Sequence, residues 1–352
     1  MKICNIGKII TAKIDGTNLT RDNYISTENM LSNCGGVFAS SSVPSTKVTR
    51  FSKRDVLLSN IRPYFKKVWF ARFDGGCSND VICIRANEKD CLSQYLYYAI
   101  STDSFIDSFS ASSKGTKMPR GDKNALLSYE IPDRTIDEQQ HIVDIHGTID
   151  NSIENNEKIA ANLETYAISK YQEITKDISD FITLGEIVDI YDSKRKPLSS
   201  RERESRKGDY RYYGATGVLD YVNDYLFDGE YVLLAEDGTV IDENGYPIVQ
   251  LVTGQFWVNN HAHIMQAKAG YTNYSLYVAL KKLSVNTAVT GAVQLKINQA
   301  NLCALEMPRI NENKLLTFNQ EIEPLFLKII QIRAEIEKLN ELKQLYLHKF
   351  FG

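Results

Sequence analysis

The chain has 352 residues, with 41 Lys and Arg against 44 Asp and Glu for a net charge of -3, a length that leaves room for two or three globular units. No apolar stretch approaches the eighteen or so residues that cross a bilayer, and the start, Met1-Lys2-Ile3-Cys4-Asn5, lacks the apolar core of a secretion signal, so a cytoplasmic protein with no membrane partner is expected. The six cysteines (Cys4, Cys34, Cys77, Cys83, Cys91, Cys303) include no pair at CxxC spacing, and they read as reduced packing residues with no metal role.

Residues 1 to 132 carry 18 Lys and Arg against 12 Asp and Glu. Within them Val56-Leu57-Leu58, Val68-Trp69-Phe70-Ala71 and Val81-Ile82-Cys83-Ile84 are short β-branched or aromatic runs divided by Asn, Gly, Pro and Asp, the pattern of short strands; one helix is expected near Leu92 to Ile100. From residue 133 to 180 the balance reverses to 4 against 11 and the apolar period lengthens. Ile142, Ile145 and Ile149 begin a stripe, Gly147 is a candidate break, and Ile153, Asn156, Ala160, Leu163 and Ala167 continue it. A buried Asn156 would fix the register of a paired helix at a cost in stability. A helix from 149 to 176 would be about 40 Å long and could hold two modules apart.

The strand style returns in Tyr231-Val232-Leu233-Leu234 and Ile248-Val249-Gln250-Leu251-Val252, with a helix near Tyr274 to Leu283. Ahead of them Lys194, Arg195, Lys196, Arg201, Arg203, Arg206, Lys207 and Arg211 fall within eighteen residues beside Tyr210, Tyr212 and Tyr213. Cations interleaved with aromatics suit phosphate neutralisation and base contact, although Glu202, Glu204 and Asp209 dilute the run and a solvated loop would look similar. Finally Ile322, Leu325, Ile329, Ile332, Ile336 and Leu339 recur at steps of three and four, a coiled-coil seam.

These segments form an internal duplication. Gly115-Thr116-Lys117-Met118 through Ile131-Pro132 lines up with Gly291-Ala292-Val293-Gln294 through Met307-Pro308 at an offset of 176, as does Val56-Leu57-Leu58-Ser59 with Val232-Leu233-Leu234-Ala235; 176 is also half the chain. A period this long is one domain plus a connector copied once, not a solenoid. The expected class is α+β: two pseudo-twofold-related α/β modules joined by two long antiparallel coiled-coil helices, and suited to a ligand with two similar halves.

Ile131-Pro132 followed by Ile136-Asp137-Glu138-Gln139-Gln140 and a Glu/Lys/Asn-rich helix resembles the spacer of the specificity subunit of type I restriction-modification systems. Tyr212-Tyr213-Gly214-Ala215-Thr216-Gly217-Val218-Leu219-Asp220-Tyr221, with Phe227-Asp228-Gly229-Glu230-Tyr231-Val232-Leu233-Leu234-Ala235-Glu236-Asp237-Gly238, is similar to a widespread form of that family's target recognition domain. The resemblance covers nearly the whole chain. The first module lacks the Tyr-Gly-Ala-Thr-Gly signature, and the second spacer has Phe318-Asn319-Gln320 where the first has Glu138-Gln139-Gln140.

The resemblance implies target recognition domains at 1–133 and 179–308 and spacer helices at 134–178 and 309–352. It implies a non-enzymatic DNA-binding subunit that reads a bipartite double-stranded target and recruits two modification subunits. The subunit itself would hold no cofactor; S-adenosylmethionine, and ATP with magnesium where restriction subunits join, would belong to the partners. Lys47, Arg50, Lys53, Arg54, Arg62, Lys66, Lys67, Lys194, Arg195, Lys196, Arg201, Arg203 and Arg211 are candidates for phosphate contacts. Asn60, Arg62, Ser113, Lys117, Tyr213, Thr216, Gln294 and Lys296 are candidates for base-edge contacts. Ile153, Asn156, Leu163, Ile332, Ile336 and Leu339 are expected to pair the helices.

Two rivals stand beside this reading. Glu236-Asp237, Asp242-Glu243 and His261-Ala262-His263 could form a metal-dependent hydrolase site, but Asn60-Ile61 and Asp80-Val81 occupy the matching places in the first half, and no GK[ST] loop, Asn-Pro-Pro-Tyr-type tetrapeptide or GxSxG elbow occurs. A two-module coiled-coil adaptor that bridges proteins is the other; the two differ in salt dependence, which is steep for a DNA reader.

Overall fold

The computed structural model describes residues 1–115, 117–291 and 294–352; Thr116, Ala292 and Val293, part of the aligned repeat, lie outside the described residues. It divides into two compact units, Met1–Asn155 with Ile336–Gly352, and Asn156–Glu335. Each unit thus combines one module with about half of both long helices, a partition that a linear reading of the sequence does not give.

In the first unit α1 (Ile3–Ile6) leads into β1 (Gly7–Ile9), β2 (Lys13–Asp15), β3 (Tyr24–Ile25), β4 (Lys47–Phe51), β5 (Val56–Ser59), β6 (Val68–Phe70), β7 (Gly75–Cys77) and β8 (Val81–Ala86), then α2 (Ser93–Ile100), α3 (Asp103–Ala111) and α4 (Lys123–Ser128). The strands form two sheets, ordered β1-β8-β5-β6 and β2-β4-β7-β3. Alternation along the strands divides the core in two. Val56, Leu58, Val68, Ile82 and Ile84 pack with α2 and α3 through Tyr95, Leu96 and Phe105, whereas Leu57, Trp69 and Cys83 face Met30, Phe51 and Cys77. Burial on both faces is why these runs read as continuously apolar, and it pushes the Cys77 thiol up to about 12.

The second unit holds β9 (Phe181–Thr183), α6 (Leu184–Ile187), β10 (Val188–Ile190), α7 (Ser200–Ser205), β11 (Lys207–Tyr213), β12 (Val218–Val222), β13 (Phe227–Ala235), β14 (Val249–Val258), β15 (Ala262–Ala267), α8 (Asn273–Leu280), β16 (Val289–Thr290), β17 (Lys296–Ile297), α9 (Gln299–Cys303) and β18 (Glu306–Pro308). Its main sheet runs β10-β15-β13-β14-β11-β12, and the first four strands repeat the β1-β8-β5-β6 order.

The duplication is preserved in individual hydrogen bonds. Ile10 N–H donates to Cys83 O as Tyr191 N–H does to Ile264 O, both at 2.8 Å, and Asn87 N–H to Ile6 O as Lys268 N–H does to Ile187 O. The Ile61–Arg120 bridge recurs as Asp237–Lys296 at an offset of 176. Gly115 and Gly291, at the same offset, both hold positive φ, 99° and 91°, a conformation that keeps glycine at this turn in both halves.

The two long helices, α5 (Ile136–Thr175) and α10 (Glu312–Phe351), have 40 residues each. Gly147 does not break α5: the i→i−4 ladder carries through a single glycine at a cost of about 1 kcal/mol. The Ile136–Gln140 motif has a local purpose. Glu138 Oε2 accepts from Thr135 N–H at 2.8 Å while Thr135 Oγ1 receives Glu138 N–H, a capping box. Buried Gln139 donates to Asp90 O and Arg134 O and accepts from Leu92 N–H, tying the helix to its module. In the second unit Asn319 donates to Gly270 O at 2.8 Å, a single tie to its module, while its Oδ1 is buried without a partner among the described residues.

Within each unit the helix segments run antiparallel. In the first, Lys343 meets Asp150 at 2.6 Å, and Leu347 and Phe351 share a core with Ile142 and Val143. In the second, Glu164 meets Arg333 at 3.7 Å and Tyr166 donates to Glu321 at 2.7 Å, while Ala160, Leu163 and Ala167 pack in one cluster with Phe318, Ile322, Phe326 and Ile329. Ile332 is buried; Ile153, Asn156, Leu163, Ile336 and Leu339 are half-buried. The Nδ2 of Asn156 is buried with no hydrogen-bond partner among the described residues, the cost in stability expected of a polar residue in a helix seam. Among the described residues no helix is long and apolar enough to cross a membrane.

Candidate nucleic-acid interface

In the first unit the loop after β5 and the loop after α3 are stitched together. Arg62 N–H donates to Pro119 O, Gly121 N–H to Asn60 O, and Lys114 and Arg120 exchange backbone bonds. This brings Arg62 and Lys117, both exposed, to one edge, with Arg62 Nη2 3.5 Å from Lys117 O. Ser113 lies half-buried at the base of the second loop, its hydroxyl donating to Phe109 O. Lys47 and Arg50 are exposed on β4, and Lys53 and Arg54 are exposed in the turn that precedes β5, at the opposite end of that strand from Arg62. The four residues of β5, at about 3.3 Å each, lie between that turn and the Arg62 loop. Arg54 is also 3.2 Å from Glu88.

Three first-unit candidates turn inward. Lys66 is buried and holds Asp103 at 2.7 Å at the start of α3. Lys67 donates to Thr27 O at 2.7 Å. Asn60 is 8% exposed, and its Oδ1 is buried without a donor among the described residues. Desolvation, not charge, decides these placements: a lysine enters a core only against a carboxylate or carbonyl. Sequence inspection overlooked what surrounds them, the exposed Tyr64, Phe65 and Met118.

In the second unit the basic run divides between surface and core. Lys194, Lys196 and Arg201 are exposed, with the Lys194 ammonium 4.8 Å over the Tyr191 ring. Arg195 is not: its side chain is 14% exposed, and it bonds Glu236 at 2.5 Å, Ala262 O at 2.8 Å and the carboxylate of Asp192 at 3.4 Å. Arg203 is similarly committed to Asp220 at 3.0 Å and Leu198 O at 2.8 Å, over the Tyr212 ring. The Lys207 ammonium, the Tyr221 N–H and Arg203 together hold the Asp220 carboxyl down at about 2. Tyr213 is buried edge-on to Phe256, its ring packed into the sheet. Arg211 is half-buried on β11; Thr216 and Gln294 are exposed on loops.

Lys296 is exposed but lies 3.2 Å from Glu236, at the rim of a charge cluster. His263 has Nδ1 2.5 Å from Asp192 Oδ2 and Nε2 2.9 Å from Ile297 O. Burial raises the Glu236 carboxyl, yet Arg195, His263 and Lys296 outweigh it and leave the group below its usual range. Asp192, Glu236 and His263 lie within 4.8 Å of one another, a donor set a metal could use in principle. Here Arg195 and Lys296 already bond the Glu236 carboxylate and neutralise the cluster, so its geometry is that of an ion network bracing the loop after β13.

A family model described as type I restriction modification DNA specificity domain matches this chain twice, over residues 2–165 and 177–345. A Haemophilus influenzae protein described as a type I restriction enzyme specificity subunit, S.HindORF215P, is 38% identical over 125 residues, which are 36% of this chain and only 31% of that relative's length. The type I restriction enzyme MjaIX specificity subunit of Methanocaldococcus jannaschii is 24% identical over 299 residues, 74% of this chain and 69% of the relative. In fold, the chain is similar to the crystal structure of a type I restriction-modification system S subunit from M. genitalium, with a TM-score of 0.55 at 18% identity, covering 100% of this chain and 95% of that one. Because the family model accounts for both modules and for much of both helices, the chain belongs to the type I restriction-modification DNA specificity family.

Proposed function

We propose that this chain is a non-catalytic, cytoplasmic specificity subunit that reads a bipartite sequence in double-stranded DNA, one half with each module, and brings two modification subunits to it. The reading rests on the repetition of one loop framework: the Ile61–Arg120 and Asp237–Lys296 bridges place a pair of loops at the same end of the same strand in each unit. Around that framework Arg62 and Lys117 in one half, and Gln294 and Lys296 in the other, stand exposed. Phosphate neutralisation would come from Lys47, Arg50, Lys194, Lys196 and Arg201, which are exposed, and base discrimination from the shorter polar groups. The 40-residue helices, about 60 Å each at 1.5 Å per residue, would fix the length of the unread gap. Adenine methylation with S-adenosylmethionine, and any ATP-driven cleavage by restriction subunits, would be the partners' chemistry.

The test is methylome sequencing of a host with and without this chain, followed by binding assays on the motif found. A split adenine motif that appears only with the chain, and an affinity that falls steeply with salt, is the expected result. Loss of the motif with a flat salt response would favour a protein-bridging adaptor and sink the proposal.

A further inference from the structure

The turn Arg62-Pro63-Tyr64-Phe65-Lys66 is built against conformational preference. Arg62 and Lys66 both sit in the left-handed region, at φ 48° and 52°, and flank a single 3-10 turn, Pro63–Phe65. Asn33 and Cys34, at φ 55° and 57°, pack beside it by donating their N–H groups to Phe65 O and Lys66 O. Four non-glycine residues in a region that L side chains avoid are thereby gathered at one place. Such strain persists only where the surroundings over-determine it, as the Lys66–Asp103 ion pair at 2.7 Å and the Arg62 N–H to Pro119 O bond do here.

What this framework presents to solvent is two aromatic rings. Tyr64 is 55% exposed and Phe65 39%, their centroids 4.8 Å apart, with Met118 exposed on the adjoining loop. A turn needed only to reverse the chain would favour glycine and short polar residues. The rim is cationic, with Arg62 and Lys117 exposed on either side, which matches a polyanion.

We propose that Tyr64 and Phe65 form a rigid wedge that inserts at a base step of the half-site read by the first module, with Arg62 and Lys117 on the flanking phosphates. This rests on the DNA-reading function proposed above and adds to it a mode of recognition, local unstacking. Apolar side chains driven between base pairs unstack and kink the duplex, and cations beside them hold the deformed backbone. Specificity then comes partly from how easily a given step deforms, not from hydrogen bonds alone. Pre-straining the turn matters because a rigid wedge loses little conformational freedom on insertion.

The experiment uses the full chain assembled with its modification subunit, and duplexes carrying 2-aminopurine at successive positions of the recognised sequence. Apart from the target adenines, which a methyltransferase extrudes from the stack in any case, the wild-type complex should raise 2-aminopurine emission at one further step of the half-site read by the first module. Tyr64→Ala with Phe65→Ala should abolish that rise and weaken binding about tenfold for each ring lost, with the salt slope unchanged because no phosphate contact is removed. Arg62→Ala should instead lower the slope by about one. Flat emission everywhere outside the target adenines, in a wild-type complex that binds its sequence, overturns the wedge while leaving DNA reading intact, and needs no variant to fold. Absence of sequence-specific binding by the wild-type complex would overturn both. A double variant that keeps wild-type emission and affinity, or one that loses its modification subunit before it loses DNA, would reassign the rings to a non-wedging surface or to a protein interface.

Discussion

His146 offers a sharp test of how the helices are packed. Its ring is fully buried, neither nitrogen has a hydrogen-bond partner among the described residues, and it lies stacked on Tyr98 at 4.5 Å with Tyr346 and Phe350 edge-on at 6.4 and 6.1 Å. Burial pushes its imidazole down to about 4, with Asp150 opposing and Lys343 assisting. In the unfolded chain the ring should titrate near its ordinary value of about 6.5. The sign follows from linkage: below about 6.5 the unfolded chain takes up a proton that the folded chain refuses. The stabilising contribution is therefore complete above that value and is lost as pH falls toward 4. A difference of roughly 2.5 units at 1.36 kcal/mol each amounts to about 3 kcal/mol in full, of which about 2 kcal/mol should disappear between pH 7 and pH 5. Carboxylates held low by hydrogen bonds, such as Glu138 and Asp122, lose their contributions only at more acid pH, so this window isolates the histidine. Trp69 and Trp257 fall one in each unit, and a Trp257→Phe background leaves Trp69 to report the first unit alone. Urea midpoints followed by its fluorescence at pH 7 and pH 5 should drop steeply for His146 and little for His146→Phe, which keeps the stacking and removes both orphan nitrogens. Parallel pH profiles for the two proteins would refute the reasoning.

The inward turn of Arg195 predicts that Arg195→Ala behaves as a folding variant: the Asp192 and Glu236 carboxylates each lose a cationic partner, and the second unit should lose about 3 kcal/mol in urea unfolding followed by Trp257. Lys194→Ala with Lys196→Ala should do the reverse, lowering the salt slope of DNA binding while leaving the unfolding midpoint in place; a midpoint shift of several kcal/mol there, or none for Arg195→Ala, would contradict the assignment. Asn156→Leu removes an amide whose Nδ2 is buried without a partner among the described residues and should stabilise the protein by about 1 kcal/mol, measured by the same denaturation. Destabilisation would mean that the amide is satisfied by a bond the structure lacks.

Some of this was readable before any coordinates. The offset of 176 is matched bond for bond by the Ile61–Arg120 and Asp237–Lys296 bridges, and the apolar steps from Ile322 to Ile332 fall on the buried face of α10. Other features gave no sequence signal. The second sheet of the first unit has strands of two to five residues, too short to show a period. The basic run from Lys194 to Arg211 offers nothing to distinguish Lys194, left in solvent, from Arg195, drawn to Glu236 forty-one residues away.

The amino-acid sequence alone determined the copied module, because a repeat is visible in residue identity, and the strand and helix periods, because these depend on neighbours within a turn or two of the chain. The tertiary structure decided which cations face water, how Gln139 and Asn319 anchor their helices, and that Tyr64 and Phe65 stand exposed on a strained turn. Those outcomes depend on desolvation and on carboxylates and carbonyls brought close from distant positions, and a charge or a ring has no fixed fate until its surroundings are assembled.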